Sequence, residues 1–395
     1  MSPPAGSSVG SRGFYLLREI AALDNRCVIV TSDSNVLAKT PQLRGKMLDQ
    51  QIDGMHIRWL CTLKFKKTKS LRRILSWLDF ELKFFLFGSK GLPKPDAVIV
   101  SSLSLLTILN GFLLRRKYGC KVIFEIRDIW PLTLTAEGKY SKLNPLIIIL
   151  SFIEFIGYKY CDEIVGTMPN LQQHVDKVLN YKRHVHCIPI GFDTDAYKYL
   201  NQKRPSDVIP KIPKGKFLIG YIGSIGVSNA LDQLFQAAQQ TIDEEQIHYL
   251  IVGTGDLEHS YKLKYQNQSN VTFHPKISKE QVPQVLEKCD VLYFATHPSE
   301  VWNYGQSLNK LVEYMLAGKP VIGSYTGYQS MLNEANCGVF IPSGDVNALV
   351  AQIVAFSKFQ KTELSRMGDR GKSWINQHRT YRKLGLQYLN EVLLK

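Results

Sequence analysis

The sequence predicts an α/β protein built from two doubly wound domains in series, on three observations. Short apolar runs rich in β-branched residues alternate with longer helical patterns, the order of strand-helix-strand units on a parallel sheet. The alternation occurs twice along the 395 residues, and a polar, proline-containing stretch separates the two occurrences. The first half offers strands at Cys27–Thr31, Ala97–Ser101, Lys121–Ile126, Glu163–Thr167 and His186–Ile190. The second offers Lys216–Ile222, His248–Val252, Val271–His274, Val291–Ala295, Pro320–Ser324 and Val339–Ile341. Residues 203–214, with three prolines and no apolar periodicity, read as the connection between a domain at 1–202 and one at 215–372. A terminal helix over 373–395 carries apolar residues at helical spacing and is expected to pack back on the first domain. A doubly wound sheet usually opens on a strand, yet the turn-like Pro3 to Gly10 comes almost at once, so the first strand is expected to be missing.

Composition narrows the function classes. Hydrophobic residues make 45% of the chain and charged residues 21%, the mixture of a globular protein. A net charge of +15, from 49 Lys and Arg against 34 Asp and Glu, calls for an anionic partner. No helix-turn-helix, zinc or aromatic sheet motif accompanies that charge, so nucleic acid is not the expected partner. The seven cysteines lack metal-ligand spacing and sit beside apolar runs, as reduced core thiols do; neither a metal site nor a cofactor is expected. No basic-then-apolar leader is seen, and the most apolar stretch, 143–157, falls short of the roughly 20 residues that span a bilayer. A cytoplasmic location is expected.

Several segments carry candidate chemistry. Tyr304 to Ile322 opens a helix with small and polar residues and closes it at Gly318. Ser307, Asn309 and Lys310 at a helix start can hold a diphosphate with free N–H groups and a cation. Glu313, four residues after Asn309, shares its helical face and can accept hydrogen bonds from ribose hydroxyls. A capping serine with a solvated Lys310–Glu313 pair explains the same spacing equally well. Ile219 to Gly226 runs from a strand into a glycine-rich turn, where backbone can approach a phosphate through Gly223 and Ser224. Phe124 to Pro131 ends a strand with Arg127 and Asp128, which should project beyond the carboxyl end of the sheet. A structural Arg–Asp pair is the plainer alternative there. Residues 64–87 join cations to large apolar groups and read either as a helix lying on anionic lipid or as a core helix behind a basic loop.

The run Ala317-Gly318-Lys319-Pro320-Val321-Ile322, preceded by Glu313, resembles the donor segment of retaining GT-B glycosyltransferases of the family 4 type. Ile219–Gly226, Ile251–Asp256 and Phe273–Ile277 are similar to that family's other donor-side turns, in family order. Arg127-Asp128-Ile129-Trp130-Pro131, Asn144-Pro145, Met168–Leu171 and Ile188–Asp193 resemble a subgroup that assembles bacterial surface polysaccharides, the colanic acid and O-antigen fucosamine transferases. The resemblance covers nearly the whole chain and implies two Rossmann-like domains facing across a cleft. It implies a nucleotide sugar, a uridine diphosphate donor foremost, bound by Gly223, Ser224, Gly253, Ile277, Ser307, Asn309, Lys310 and Glu313. It also implies a lipid-linked or saccharide acceptor activated by Asp128 with Arg127, Lys310 stabilising the leaving diphosphate without a divalent ion. Gly6, Gly10 and Arg12 then lie on the acceptor side, and a lipid-linked acceptor would set the protein peripherally on the inner face of the plasma membrane. Gly305 stands where the family carries a second glutamate for the donor sugar. That departure keeps two rival readings open, a nucleotide-sugar 2-epimerase of the same architecture and a non-catalytic sugar-binding partner.

Overall fold

A computed structural model describes residues 11–34, 40–65, 70–102, 104–138, 140–202 and 213–394. The chain divides into two compact units, one of Met1–Asp193 with Tyr381–Lys395, the other of Thr194–Thr380.

The first unit runs α1 (Ser11–Ala21), β1 (Val28–Ser32), β2 (Met47–Ile52), β3 (Met55–Leu60), α2 (Leu71–Lys83), β4 (Ala97–Ser101), α3 (Thr107–Tyr118), β5 (Lys121–Ile126), α4 (Leu132–Ala136), α5 (Pro145–Tyr160), β6 (Glu163–Gly166), α6 (Leu171–Leu179) and β7 (His186–Cys187). Its strands form two ladders, β1-β3-β2 and β4-β5-β6-β7. β2 is antiparallel to β3, and the other pairings are parallel. The β2–β3 hairpin is absent from the sequence reading. Asp53 and Gly54, at φ 49° and 77°, make the tight Asp-Gly turn, but polar Asp49, Gln50 and Gln51 mask β2 as a strand. Residues 1–10, where the sequence suggested a missing first strand, lie outside the described residues. Both ladders contribute to one core, with Ile57 and Trp59 of β3, Ile123 of β5 and Val165 of β6 packed with Phe14 and Ile20 of α1.

The second unit runs α7 (Thr194–Gln202), β8 (Phe217–Ile222), α8 (Asp232–Gln240), β9 (Ile247–Val252), α9 (Glu258–Tyr265), β10 (Val271–His274), α10 (Val282–Lys288), β11 (Val291–Ala295), α11 (Asn309–Leu316), β12 (Val321–Ser324), β13 (Gly338–Ile341), α12 (Val346–Ser357) and α13 (Lys361–His378). Six parallel strands lie in the order β10-β9-β8-β11-β12-β13. Every residue of β9, β11 and β12 is buried, which is why these strands read as apolar runs rather than alternations. The strand order reverses between β8 and β11, the switch point beside which open α/β sheets bind ligands.

The chain then returns. α14 (Tyr381–Tyr388) packs on α1 in the first unit, with Leu384, Tyr388 and Val392 in that core. A Cβ on Gly385 would stand 2.8 Å from Glu19 Cβ, so the two helices touch closely. Two expected boundaries therefore move. The terminal segment is not one helix on the first domain: α13 stays in the second unit, where Gly368 lies against the Gly318 carbonyl, and the crossing falls between His378 and Tyr381. α7 also belongs to the second unit, its Tyr197 hydroxyl donating to the Leu316 carbonyl at 2.9 Å. Of the expected connection, residues 203–212 lie outside the described residues. Among the described residues, no helix is long and apolar enough to cross a membrane.

Arg12 holds the first unit together at its core. It is 1% exposed and donates to the Glu125 carboxylate at 3.1 Å and to the Pro189 carbonyl, tying α1 to the end of β5 and to the segment after β7. Arg12, expected on the acceptor side, is buried at the end of β5, bonded to a residue two before Arg127. Removing one partner of a buried pair strands the other charge. Arg12→Met is expected to lower unfolding free energy by about 3–5 kcal/mol in urea titration; an unchanged midpoint would show that the pair contributes nothing.

Candidate functional site

The donor-side residues of the second unit converge at the switch point. β8 carries the chain into Gly223 and Ser224, and this turn is laid directly on the next one. Gly223 N donates to Val252 O at 2.9 Å, and Ile225 N donates to Thr254 O at 3.0 Å. Gly253, at φ 151°, could not be another residue: a Cβ there would stand 1.8 Å from Gly223 O. A Cβ on Gly255 would stand 2.3 Å from Ile225 O. Two glycine turns thus stack backbone on backbone.

α11 arrives over the same turn. Lys310 Cε lies 3.0 Å, and Nζ 3.2 Å, from where a Gly223 Cβ would be. Its ammonium donates to Asn229 Oδ1 at 2.8 Å and to the Tyr221 hydroxyl at 3.1 Å, and stands 4.3 Å from the Tyr221 ring centroid. Tyr221 in turn donates to Ser224 O. Tyr314 of α11 clamps the strand end from the other side, accepting from Ile222 N at 3.1 Å. The helix cap is Leu308, which has no side-chain oxygen to offer the first-turn amides. A positive helix end, a cation and a glycine turn therefore share one spot, a combination able to hold a phosphate group. Desolvation brings the Lys310 ammonium down to about 8, with Glu313 opposing. The solvated Lys310–Glu313 pair of the plainer alternative is not what forms: Lys310 is turned to Tyr221 and Asn229.

Glu313 lies one turn on. It meets solvent, yet crowding by protein raises its carboxyl, while Lys279 and then Lys310 pull the other way. Ile277 is half-buried in the stretch after β10 that also carries Lys279, and Ser307 is half-buried and Asn309 exposed at the helix start. Gly305 has φ 98° and is buried, so its backbone disfavours the glutamate expected at that position. The neighbouring Gln306 is 2% exposed; its Oε1 accepts from Leu308 N at 3.3 Å. The sequence reading passed over Asn229 and Lys279. Asn229 follows the Gly223 turn by six residues, within reach of local inspection; nothing local marked Lys279.

In the first unit, Arg127 and Asp128 follow β5. Arg127 N donates to Ser102 Oγ at 2.9 Å, which fixes the turn to the end of β4. No ion pair joins Arg127 to Asp128 among the described residues. Desolvation raises the Asp128 carboxyl, opposed first by Arg127 and then by Arg73 of α2. Trp130 meets Trp77 of α2 edge to face at 6.1 Å. Gly6 and Gly10 lie outside the described residues. Among the described residues, no three His, Cys, Asp or Glu are grouped to hold a metal ion.

Two Rossmann-like units of this kind define the GT-B fold, and the whole chain superposes on solved GT-B proteins. Sucrose-phosphate synthase from Thermosynechococcus elongatus matches with a TM-score of 0.70 at 17% identity, covering 99% of this chain and 96% of that one. HepE of Anabaena, solved with UDP and glucose, matches at 0.61 and 13% identity over 98% of this chain and 97% of that one. Residues 216–358, within the second unit, match the family described as Glycosyl transferases group 1. Over 212 residues the chain is 26% identical to TuaH of Bacillus subtilis (strain 168), whose name gives it provisionally as a teichuronic acid biosynthesis glycosyltransferase. That alignment covers 52% of this chain and 50% of TuaH, about half of each.

Gly253→Ala should drive the two turns apart. The expected result is a fall in melting temperature of roughly 5 °C or more by scanning calorimetry; a variant that melts with the parent would show that the turns can separate without loss.

Proposed function

We propose that the protein is a retaining glycosyltransferase that moves a sugar from a UDP-sugar to a lipid-linked or oligosaccharide acceptor in bacterial surface polysaccharide synthesis. The observation that carries this is Lys310, held over the Gly223 turn at the start of α11 inside the matched domain. The HepE complex with UDP and glucose and the naming of TuaH support the donor and the pathway class.

In this reading the diphosphate sits between Gly223–Ser224 and Ser307–Lys310, with Gly253 supporting the turn from below. Glu313 accepts hydrogen bonds from the ribose hydroxyls, and Ile277 faces the base. As the bond from the anomeric carbon to the diphosphate breaks, charge collects on the leaving oxygens. Lys310 and the first-turn amides stabilise that charge without a divalent ion. The acceptor hydroxyl attacks from the same face, and its proton passes to Asp128 or to a departing phosphate oxygen. Desolvation makes the Asp128 carboxylate a better proton acceptor than an ordinary surface acid. Arg127 steadies the acceptor. The protein works on the inner face of the plasma membrane, which it meets through residues 64–87, of which 66–69 lie outside the described residues.

Lys310 sets the pH dependence of donor binding. Below about 8 the ammonium is charged, and above it the charge is lost. UDP affinity, by calorimetry, is expected to weaken roughly tenfold between pH 7 and pH 9. Lys310→Met should bind UDP about 10- to 100-fold more weakly at pH 7 and show no such slope; a parental slope in the variant would assign the titration elsewhere.

Diphosphate release on mixing UDP-sugars with membrane lipid extract tests the reaction itself. Asp128→Ala is expected to lower kcat by about 100-fold or more with UDP affinity kept, whereas Glu313→Ala should weaken UDP binding about tenfold. Release that needs no acceptor would point to the epimerase. Binding of donor with no release under any acceptor would leave the non-catalytic partner.

A further inference from the structure

α2 turns Trp77 and Phe80 half-buried toward the protein but carries its aliphatic stripe outward. Its buried positions are polar: Ser76, and Glu81 held by Asn110 of α3 at 2.8 Å and by Thr107. Its apolar residues Ile74, Leu75, Leu78 and Leu82 face solvent, and the π-helical turn Phe84–Gly88 adds Phe85 and Leu86 to the same side. An amphipathic helix in a water-soluble surface has the opposite arrangement.

The neighbouring helices continue that side. α3, joined to α2 through Glu81, exposes Leu109 and Leu113. Its far end is joined to α5 by Arg115, which donates to the Tyr160 carbonyl at 2.7 Å. α5 turns Ile147 and Ile153 inward and Ile148, Ile149 and Phe152 outward, the last three 54–63% exposed. Monomeric proteins rarely leave so much aliphatic and aromatic surface uncovered without a partner.

Charge identifies that partner. Arg72, Arg116, Lys117, Lys142 and Lys159 are exposed on these helices or at their ends. The acids of the three helices and at their ends are withdrawn or paired: Asp79 with Lys83 at 2.8 Å, Glu81 buried, Glu154 buried against His174 at 2.7 Å, and Asp162, just after α5, facing Arg115 at 3.5 Å. A second copy of the chain would bring like charges together, whereas an anionic bilayer offers hydrocarbon for the leucines and phosphates for the cations.

We infer that α2, α3 and α5 form a single face by which the first unit rests on an anionic lipid bilayer. This deepens the membrane contact of the preceding section, on which it rests, by making the docking element three helices rather than residues 64–87 alone. The face also leads to the acceptor-side residues. Arg73 stands 4.8 Å over the Trp77 ring, Trp77 meets Trp130, and Trp130 follows Asp128 by two residues. A lipid-borne acceptor lying on α2 brings its head group toward Asp128 without leaving the membrane surface.

The test is sedimentation with vesicles of phosphatidylcholine alone or mixed with phosphatidylglycerol, for the parent and for I148S/I149S/F152S, which leaves α2 intact. The parent is expected to bind the mixed vesicles in a salt-sensitive way, and the α5 variant to partition about tenfold less or weaker still. Should the α5 variant fail to fold, L109S/L113S on α3 reads the same face. Equal binding by folded variant and parent overturns the inference, as does a parent that ignores anionic vesicles. A parental dimer in light scattering that the variant dissolves overturns it too, by assigning the face to a second copy. UDP affinity in solution is read alongside: loss of UDP binding in the parent would sink the transferase reading while leaving the vesicle result to stand.

Discussion

The carbonyl of Gly223 occupies space that a Cβ on residue 253 would need, only 1.8 Å from it, and the second unit is arranged around that contact. Because both turns are glycine, the ends of β8 and β9 can be stacked tightly enough for Gly223 N and Ile225 N to bond back to the β9 turn. That leaves the other side of the Gly223 turn bare, and α11 lays Lys310 across it. A side chain at 253 or 255 would lift the backbone and move the ammonium away from the place where a phosphate can meet backbone, cation and helix end together.

The two units handle buried charge in opposite ways. In the first, the Arg12 guanidinium donates from its two Nη atoms to Glu125 and Pro189, so the pair serves to join α1 to the sheet. In the second, the partners of Lys310 among the described residues are neutral, a tyrosine hydroxyl and an asparagine oxygen. Desolvation without a full counter-charge is what brings its ammonium near 8. A cation held in this way gains from an incoming diphosphate what a salt-bridged one could not, since no existing ion pair has to be broken.

Legibility followed the range of the interaction involved. The strands of the second unit stood out because burial on both faces leaves continuous apolar runs, as in Val291–Ala295. β2 was lost because an edge strand with one solvated face can afford Asp49, Gln50 and Gln51, and only the Asp53-Gly54 turn betrayed it. The terminal segment was read as one helix because apolar spacing continues from Trp374 to Val392; the break at Arg379–Thr380, where the chain crosses from one unit to the other, carries no proline or glycine to announce it. The burial of Arg12 is not legible locally, because its partner Glu125 lies 113 residues away.

By itself the sequence determined the alternation of strands and helices, the glycines at 223, 253 and 255, and the placing of Lys310 and Glu313 on one helix, since all of these are written in spacing over a few residues. Tertiary structure alone decided that Gly223 lies against Gly253, that Lys310 turns to Tyr221 and Asn229 rather than to Glu313, and that α2 buries Ser76 and Glu81 while Leu75, Leu78 and Leu82 face outward. Periodicity records that a helix has two faces. Which face meets protein, and which is left outward, depends on contacts between residues far apart in the chain, and no local pattern contains them.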